Sequence, residues 1–267
     1  MANLFEFYNQ NKEYFKLTEQ GHLRGDIFPI HRKILSKCKK KRGLIVDLGC
    51  GTGLDILAMT DKNNFCLGID ISQLAIKKAL AKIKNKKNID FKYSNLENLP
   101  LENNSVDVIT SFFAFEHLLN PEKVLDEINR VLKPKREVFL LCPNYSSPFR
   151  NPPIFGGIRK VRIAKKMILS LWRIFSVWFL RMKDFRVKMI EPDLTKVGED
   201  WDATNEPSVF EFVNYFKRKN YKIDYQTWLS PPKTKIEKFF SYFKNFPIIK
   251  YWGPVCYIYA KKDNISN

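Results

Sequence analysis

The sequence predicts an α/β protein built on a doubly wound, mostly parallel sheet, with N-terminal helices and an inserted lid after the fifth strand. Three observations predict it. From Leu44 to Cys142, apolar strand-like runs alternate with helical patterns of about a dozen residues, the rhythm of βαβ units. The first run, Gly43-Leu44-Ile45-Val46-Asp47-Leu48, ends in Gly49, Gly51 and Gly53 directly before a helical pattern. At 267 residues the chain is long enough for one such domain with an insertion.

The elements follow in order. Glu6–Phe15 and Pro29–Lys39 read as helices, with a break at Gly21-His22-Leu23-Arg24-Gly25. Strands are expected at Leu44–Leu48, Phe65–Asp70, Ile89–Ser94, Val106–Phe112 and Glu137–Cys142. Helices are expected between them at Leu54–Asp61, Gln73–Lys84 and Pro121–Leu132. The alternation breaks at Pro143, with Pro148, Pro152 and Pro153 close behind, and resumes with a helix at Ser208–Arg218 and strands at Lys222–Trp228 and Cys256–Lys261. The implied organisation is a helical cover (1–42), a cofactor-binding core (43–144), an inserted lid (145–206) and a segment completing the sheet (207–263).

The glycine turn carries the chemistry. Its glycines let the backbone approach a ligand, and the helix beyond offers unpaired N–H groups. A dinucleotide fingerprint needs a third glycine at the position held by Leu54, so the spacing argues against it. Asp47 sits where a ligand amine can be reached. Asp70 ends the next strand, 21 residues after Gly49. An acid there accepts hydrogen bonds from ribose hydroxyls in either kind of site.

Further blocks resemble, in order, the signature of class I S-adenosylmethionine-dependent methyltransferases of the type 11 branch. They are Asn95-Leu96-Glu97-Asn98-Leu99-Pro100-Leu101, Asn104 to Ile109, Glu116-His117-Leu118, and Glu127 to Pro134. The resemblance runs from about Gly43 to Asn144. It implies a Rossmann-like methyltransferase fold and S-adenosyl-L-methionine as cofactor. By the same resemblance Asp47, Gly49, Cys50 and Gly51, with Gly53 completing the turn, serve the methionine part. Asp70 holds the ribose, and Ile71, Asn95 and Leu96 frame the adenine. Two positions depart from the family. Asn95 replaces an Asp, but its carbonyl still accepts a hydrogen bond. Lys133-Pro134-Lys135-Arg136 replaces a Lys-Pro-Gly-Gly turn, which demands a different turn geometry there.

Five cysteines lack a Cys-x-x-Cys pair, so neither zinc nor a disulfide framework is indicated. Met1 to Glu6 is too polar and acidic for a signal peptide, which points to a cytoplasmic protein. The net charge of +18 is unevenly spread. Residues 1–150 hold 24 Lys and Arg against 17 Asp and Glu, whereas residues 151–267 hold 22 against 11. Ile158–Lys188 alone holds ten basic residues and one acid, Asp184. A coding bias towards lysine accounts for a general excess but not for a local one.

That basic stretch lies in the insertion, which leaves the carboxyl end of a strand and so overhangs the expected ligand site. Within it, Met167 to Leu180 is apolar almost all round a helix, too short to span a bilayer, which takes about 20 residues. Its Trp/Phe content and cationic flanks fit a peripheral helix at the inner face of the membrane, with Trp172 and Trp178 at headgroup level. The alternative is a lid helix packed over the sheet or in a dimer interface.

Asn151-Pro152-Pro153-Ile154 lacks an aromatic fourth residue for stacking a flipped base and follows the wrong strand, so it reads as a loop. Cys142 reads as a buried small hydrophobe. His117, just past the fourth strand, is either a general base or a structural histidine at the next helix. Glu199-Asp200-Trp201-Asp202 is an acidic island in a basic lid. Asp200 and Asp202 serve there as a base, as ligands for acceptor hydroxyls, or as part of a solvated loop or cap. Arg24 and Arg32 read as surface residues or, alternatively, as partners of the cofactor carboxylate.

The reading is a methyltransferase acting on oxygen or carbon of a small-molecule or lipid- or carrier-linked acceptor, with no metal. The alternatives are an RNA methyltransferase, since basic clusters also follow phosphates, and a silent methyltransferase fold serving as a membrane or partner adaptor. No RNA-binding module is recognisable, and the intact glycine turn with both acids opposes a silent fold.

Overall fold

The computed structural model describes residues 4–24, 28–83, 86–150, 159–178, 187–198 and 200–263. The loop at 151–154, residues 158 and 179–186 of the basic stretch, Lys84 and Glu199 lie outside the described residues, as do the side chains of Arg24 and Trp178.

A seven-stranded sheet organises the chain. β1 (Gly43–Leu48), β2 (Asn64–Asp70), β3 (Ile89–Tyr93), β4 (Val106–Phe112) and β5 (Leu132–Pro143) are parallel to one another. β9 (Val255–Lys262) inserts antiparallel between β5 and β8 (Tyr221–Gln226), giving the order β3-β2-β1-β4-β5-β9-β8. Side-chain alternation explains the near-continuous apolar runs. Ile45 and Val108 point to one face, beneath α3 (Pro29–Lys39), α4 (Leu54–Met59) and α5 (Gln73–Lys82). Val46 and Ile109 point to the other, beneath α6 (Pro121–Val131) and α8 (Val209–Arg218). Cys142 is buried as expected, opposite Cys256 in the β5–β9 register.

Several boundaries differ from expectation. The N-terminal cover is two helices before α3, α1 (Leu4–Gln10) and α2 (Lys12–Arg24), rather than one ending near Phe15. The chain breaks at Asn11, whose side chain accepts a hydrogen bond from the Tyr14 N–H at 2.9 Å and so caps α2. Gly21 sits inside that helix, a cost of about 1 kcal/mol that packing tolerates. β5 begins at Leu132, five residues early, because the Lys133–Arg136 turn is absorbed into it as an irregularity opposite Val106–Val108. Lys135 takes the left-handed conformation there (φ +64°), and Lys133 and Arg136 both pair with Asp107.

The insertion carries α7 (Arg159–Trp178), longer at its start than Met167–Leu180 suggested, and a small β6–β7 pair (Lys188–Met189 with Asn205–Glu206). α9 (Lys235–Ser241), with a Thr234–Glu237 capping box, and a short 3₁₀ turn (Ile249–Tyr251) lead into β9; neither was expected. No described helix is long and apolar enough to cross a membrane.

Candidate active site

The carboxyl ends of β1, β2 and β4 open into one cavity of about 1340 Å³. Gly49, Cys50, Gly51, Asp70, Ile71, Asn95, Leu96 and His117 all border it. The first turn is shaped by conformation. Gly49 has φ +74°, and a Cβ there would sit 2.4 Å from Ala114 Cβ. Gly51 has φ +51° with nothing within 4 Å of a built Cβ, so a ligand can lie against its backbone. Asp70 locks the turn from the next strand. Its Oδ2 accepts the Gly51 N–H and its Oδ1 the Ser72 N–H, both at 2.8 Å. A carboxylate has about four acceptor sites, so capacity remains for a further donor from the cavity. Burial raises the Asp70 pKa, against the lowering effect of these N–H groups.

Asp47 and Gly53 lie off the cavity wall. Parallel pairing sets Asp47 opposite Thr110, and its buried carboxylate accepts the Thr110 hydroxyl at 2.7 Å beneath the turn. Burial pushes its pKa up. Gly53 caps α4, where a Cβ would strike the Phe91 ring at 2.4 Å, so it serves helix-on-strand packing. Asn95 spends its side-chain oxygen on the Glu97 N–H at 3.0 Å while bordering the cavity. Arg32 is exposed. His31 Nε2 and Asp55 Oδ1, 3.1 Å apart on the cavity wall, gave no sequence signal.

The acidic island meets His117. Residues 204–205 strap down the 3₁₀ turn Phe115–His117: the Thr204 N–H donates to Glu116 O, and Asn205 Nδ2 donates to Phe115 O and Leu118 O. This fixes Asp202 behind the imidazole, with Oδ2 3.3 Å from His117 Nδ1. The same oxygen accepts the Tyr8 hydroxyl at 2.7 Å, bringing the N-terminal cover into the network. Asp200, at φ +62°, turns away, accepting the Tyr145 hydroxyl and pairing with Arg150. Neither aspartate borders the cavity; His117 does.

Burial opposes a charged His117, but the carboxylates of Asp202, Glu116 and Asp200 outweigh it and hold the pKa above the ordinary value. Glu116 is the residue that sequence reasoning passed over. It is 1% exposed, lies 3.8 Å from His117 Nε2, and neither oxygen has a hydrogen-bond partner among the described residues. Burial pushes its pKa up to about 7. It stood within a recognised block, but nothing in that block reported its burial.

A glycine turn facing a second-strand acid, on a sheet whose last strands pair antiparallel, has the architecture of the Rossmann-like methyltransferase fold. Residues 46–140 match the family model described as a methyltransferase domain. The chain carries a domain of that family, and S-adenosylmethionine is its cofactor. It is 28% identical over 247 residues to an uncharacterized protein of Methanocaldococcus jannaschii, covering 90% of this chain and 86% of that one. It is 38% identical over 109 residues to the demethylmenaquinone methyltransferase of Lactococcus lactis, covering 39% and 42% respectively. The chain thus spans under half the length of that relative. The fold is shared with YcgJ of Bacillus subtilis (TM-score 0.53, 17% identity, 88% of this chain and 98% of that). It is shared also with the plantazolicin methyltransferase BpumL, solved with S-adenosylhomocysteine (TM-score 0.54, 14% identity, 98% and 94%).

Proposed function

We propose that this protein is a cytoplasmic methyltransferase that modifies oxygen or carbon on an apolar small molecule or a lipid- or carrier-linked acceptor, with His117 taking the acceptor's proton. The observation that carries the reading is the cavity itself. At about 1340 Å³ it exceeds the roughly 300–1,000 Å³ of an ordinary ligand site, which leaves room for an acceptor beside a cofactor. Its rim presents Phe5, Leu119 and Met189, all exposed, as an apolar entrance. A similarity to enzymes named demethylmenaquinone methyltransferase supports an acceptor of this class.

Bound S-adenosylmethionine supplies a methyl group made electrophilic by its sulfonium. The open backbone at Gly51 and the Asp70 carboxylate would hold the cofactor, and Ile71, Asn95 and Leu96 would flank its base. Asp202 directs the His117 Nδ1 proton towards itself, which leaves Nε2 as the basic nitrogen. Asp202 is thus a positioning residue and Asp200 an anchor of the insertion. The test is transfer of labelled methyl from S-adenosylmethionine to a panel of quinol, phenol and polyprenyl-linked glycan acceptors. His117→Ala is expected to lower turnover roughly 100-fold with cofactor affinity unchanged. Full turnover in that variant rejects His117 as the base.

A further inference from the structure

α7 and α9 share one buried anchor. Ser170 of α7 accepts a hydrogen bond from Trp252 Nε1 at 2.8 Å, and Phe240 of α9 packs on the same indole with centroids 5.3 Å apart. Each helix therefore turns a different face outward. On α7 that face carries Ile168, Leu169, Trp172 and Phe175, with Trp172 60% exposed. On α9 and the turn after it, Phe239, Tyr242, Phe243 and Phe246 recur at helical spacing, with Tyr242 74% exposed. This stripe runs opposite to the usual sense: the apolar side faces solvent.

The charge around the stripe is mostly basic, the buried Glu211 being paired with Arg173. α7 contains six basic residues and no acid. From Lys233 to Lys250 the sole acid is Glu237, buried and committed to the capping box, while Lys235, Lys238 and Lys244 are exposed. Both helices leave carboxyl ends of strands, α7 after β5 and α9 after β8, which runs parallel to β5. They therefore lie on the sheet edge where the cavity opens.

We propose that α7 and α9 together form a docking face for an anionic lipid surface, on the edge of the molecule that bears the active site. Exposed aliphatic side chains such as Ile168 and Leu169 offer nothing to stack on a base but gain from entering hydrocarbon. Lysines around them are each worth about 1 kcal/mol at an anionic bilayer. Exposed aromatics suit the headgroup level. The face goes beyond the acceptor reading and stands without it, since binding is measured with no substrate present.

The experiment is co-sedimentation of the full chain with vesicles of phosphatidylglycerol and phosphatidylcholine, and with phosphatidylcholine alone, at low and high salt. The expected result is binding to the anionic vesicles only, weakened by salt. Two double variants, Trp172→Ser with Phe243→Ser, and Lys235→Glu with Lys238→Glu, are each expected to weaken it tenfold or more. Calorimetric affinity for S-adenosylhomocysteine is expected to stay unchanged in both, which shows that they are folded. No binding to either vesicle overturns the proposal, as does binding indifferent to both variants. Binding of an RNA oligonucleotide without vesicle binding overturns it in favour of a nucleic-acid face. A concentration-dependent dimer abolished by the serine variant, without vesicle binding, overturns it in favour of self-association.

Discussion

His117 Nδ1 lies 3.3 Å from the carboxylate of Asp202, a residue 85 positions later that reaches it only because the insertion folds back across the carboxyl edge of the sheet. The pair joins the wall of the cofactor cavity to the end of the lid and, through the Tyr8 hydroxyl, to the N-terminal cover.

Three carboxylates hold the His117 pKa above 6.5, so the neutral base accumulates only as pH rises. Turnover is expected to climb with pH through an apparent pKa above that value. Asp202→Asn removes the largest favourable charge, and the limb should move to lower pH while the plateau falls. A limb unmoved in Asp202→Asn, read from kcat against pH, contradicts the pairing.

Glu116 gives a test of stability. Its pKa is pushed from 4.5 to about 7 in the folded protein, so the native state binds the extra proton. Its contribution is fully present below the unfolded value and is lost as pH rises through about 7. Glu116→Gln keeps a neutral side chain, so it should match the native protein near pH 4.5 and exceed it above pH 7, by up to about 3 kcal/mol. Urea midpoints at the two pH values read this difference.

The strap at Asn205 is expected to matter for both folding and turnover. Asn205→Ala removes one donor from each of Phe115 O and Leu118 O, which keep the Leu118 N–H and the Thr204 hydroxyl respectively, a loss of roughly 1 kcal/mol. It also frees the turn bearing His117. Denaturant unfolding should show the loss, and kcat should fall more than cofactor affinity.

β1 and β4 were legible because each is buried on both faces along most of its length, so its residue types could hardly be anything but mostly apolar. Ile45 and Val46 serve opposite layers, yet both obey the same demand. The glycine turn and Asp70 were legible because φ above zero and a strand-end acid restrict residue choice strongly. What escaped were contacts between distant segments. Nothing local ties Tyr8 to Asp202 or Ser170 to Trp252, and nothing local distinguishes Glu116, buried, from Glu97, which hydrogen-bonds the Asn120 amide near the surface. Asp47 carries the residue type of a cofactor ligand, but strand register gives its carboxylate to Thr110. The N-terminal break was misplaced because Gly21 outweighed Asn11, although the side-chain cap of Asn11 decides it.

Lys135 occupies the left-handed conformation (φ +64°) that favours glycine. Lys135→Gly removes strain of about 1 kcal/mol and should raise the thermal midpoint, leaving S-adenosylhomocysteine affinity unchanged. A lower midpoint means that the lysine is held by contacts stronger than its strain.

The central claim is that the turn at Gly49–Gly53, facing Asp70, is an S-adenosylmethionine site. Calorimetric titration of the intact protein and of Asp70→Ala with S-adenosylhomocysteine tests it most directly. One saturable site is expected in the native chain, weakened in the variant by about 2–4 kcal/mol through loss of charged hydrogen bonds to the ribose. Equal affinity in the two proteins, or tighter binding of NAD than of S-adenosylhomocysteine, would contradict it.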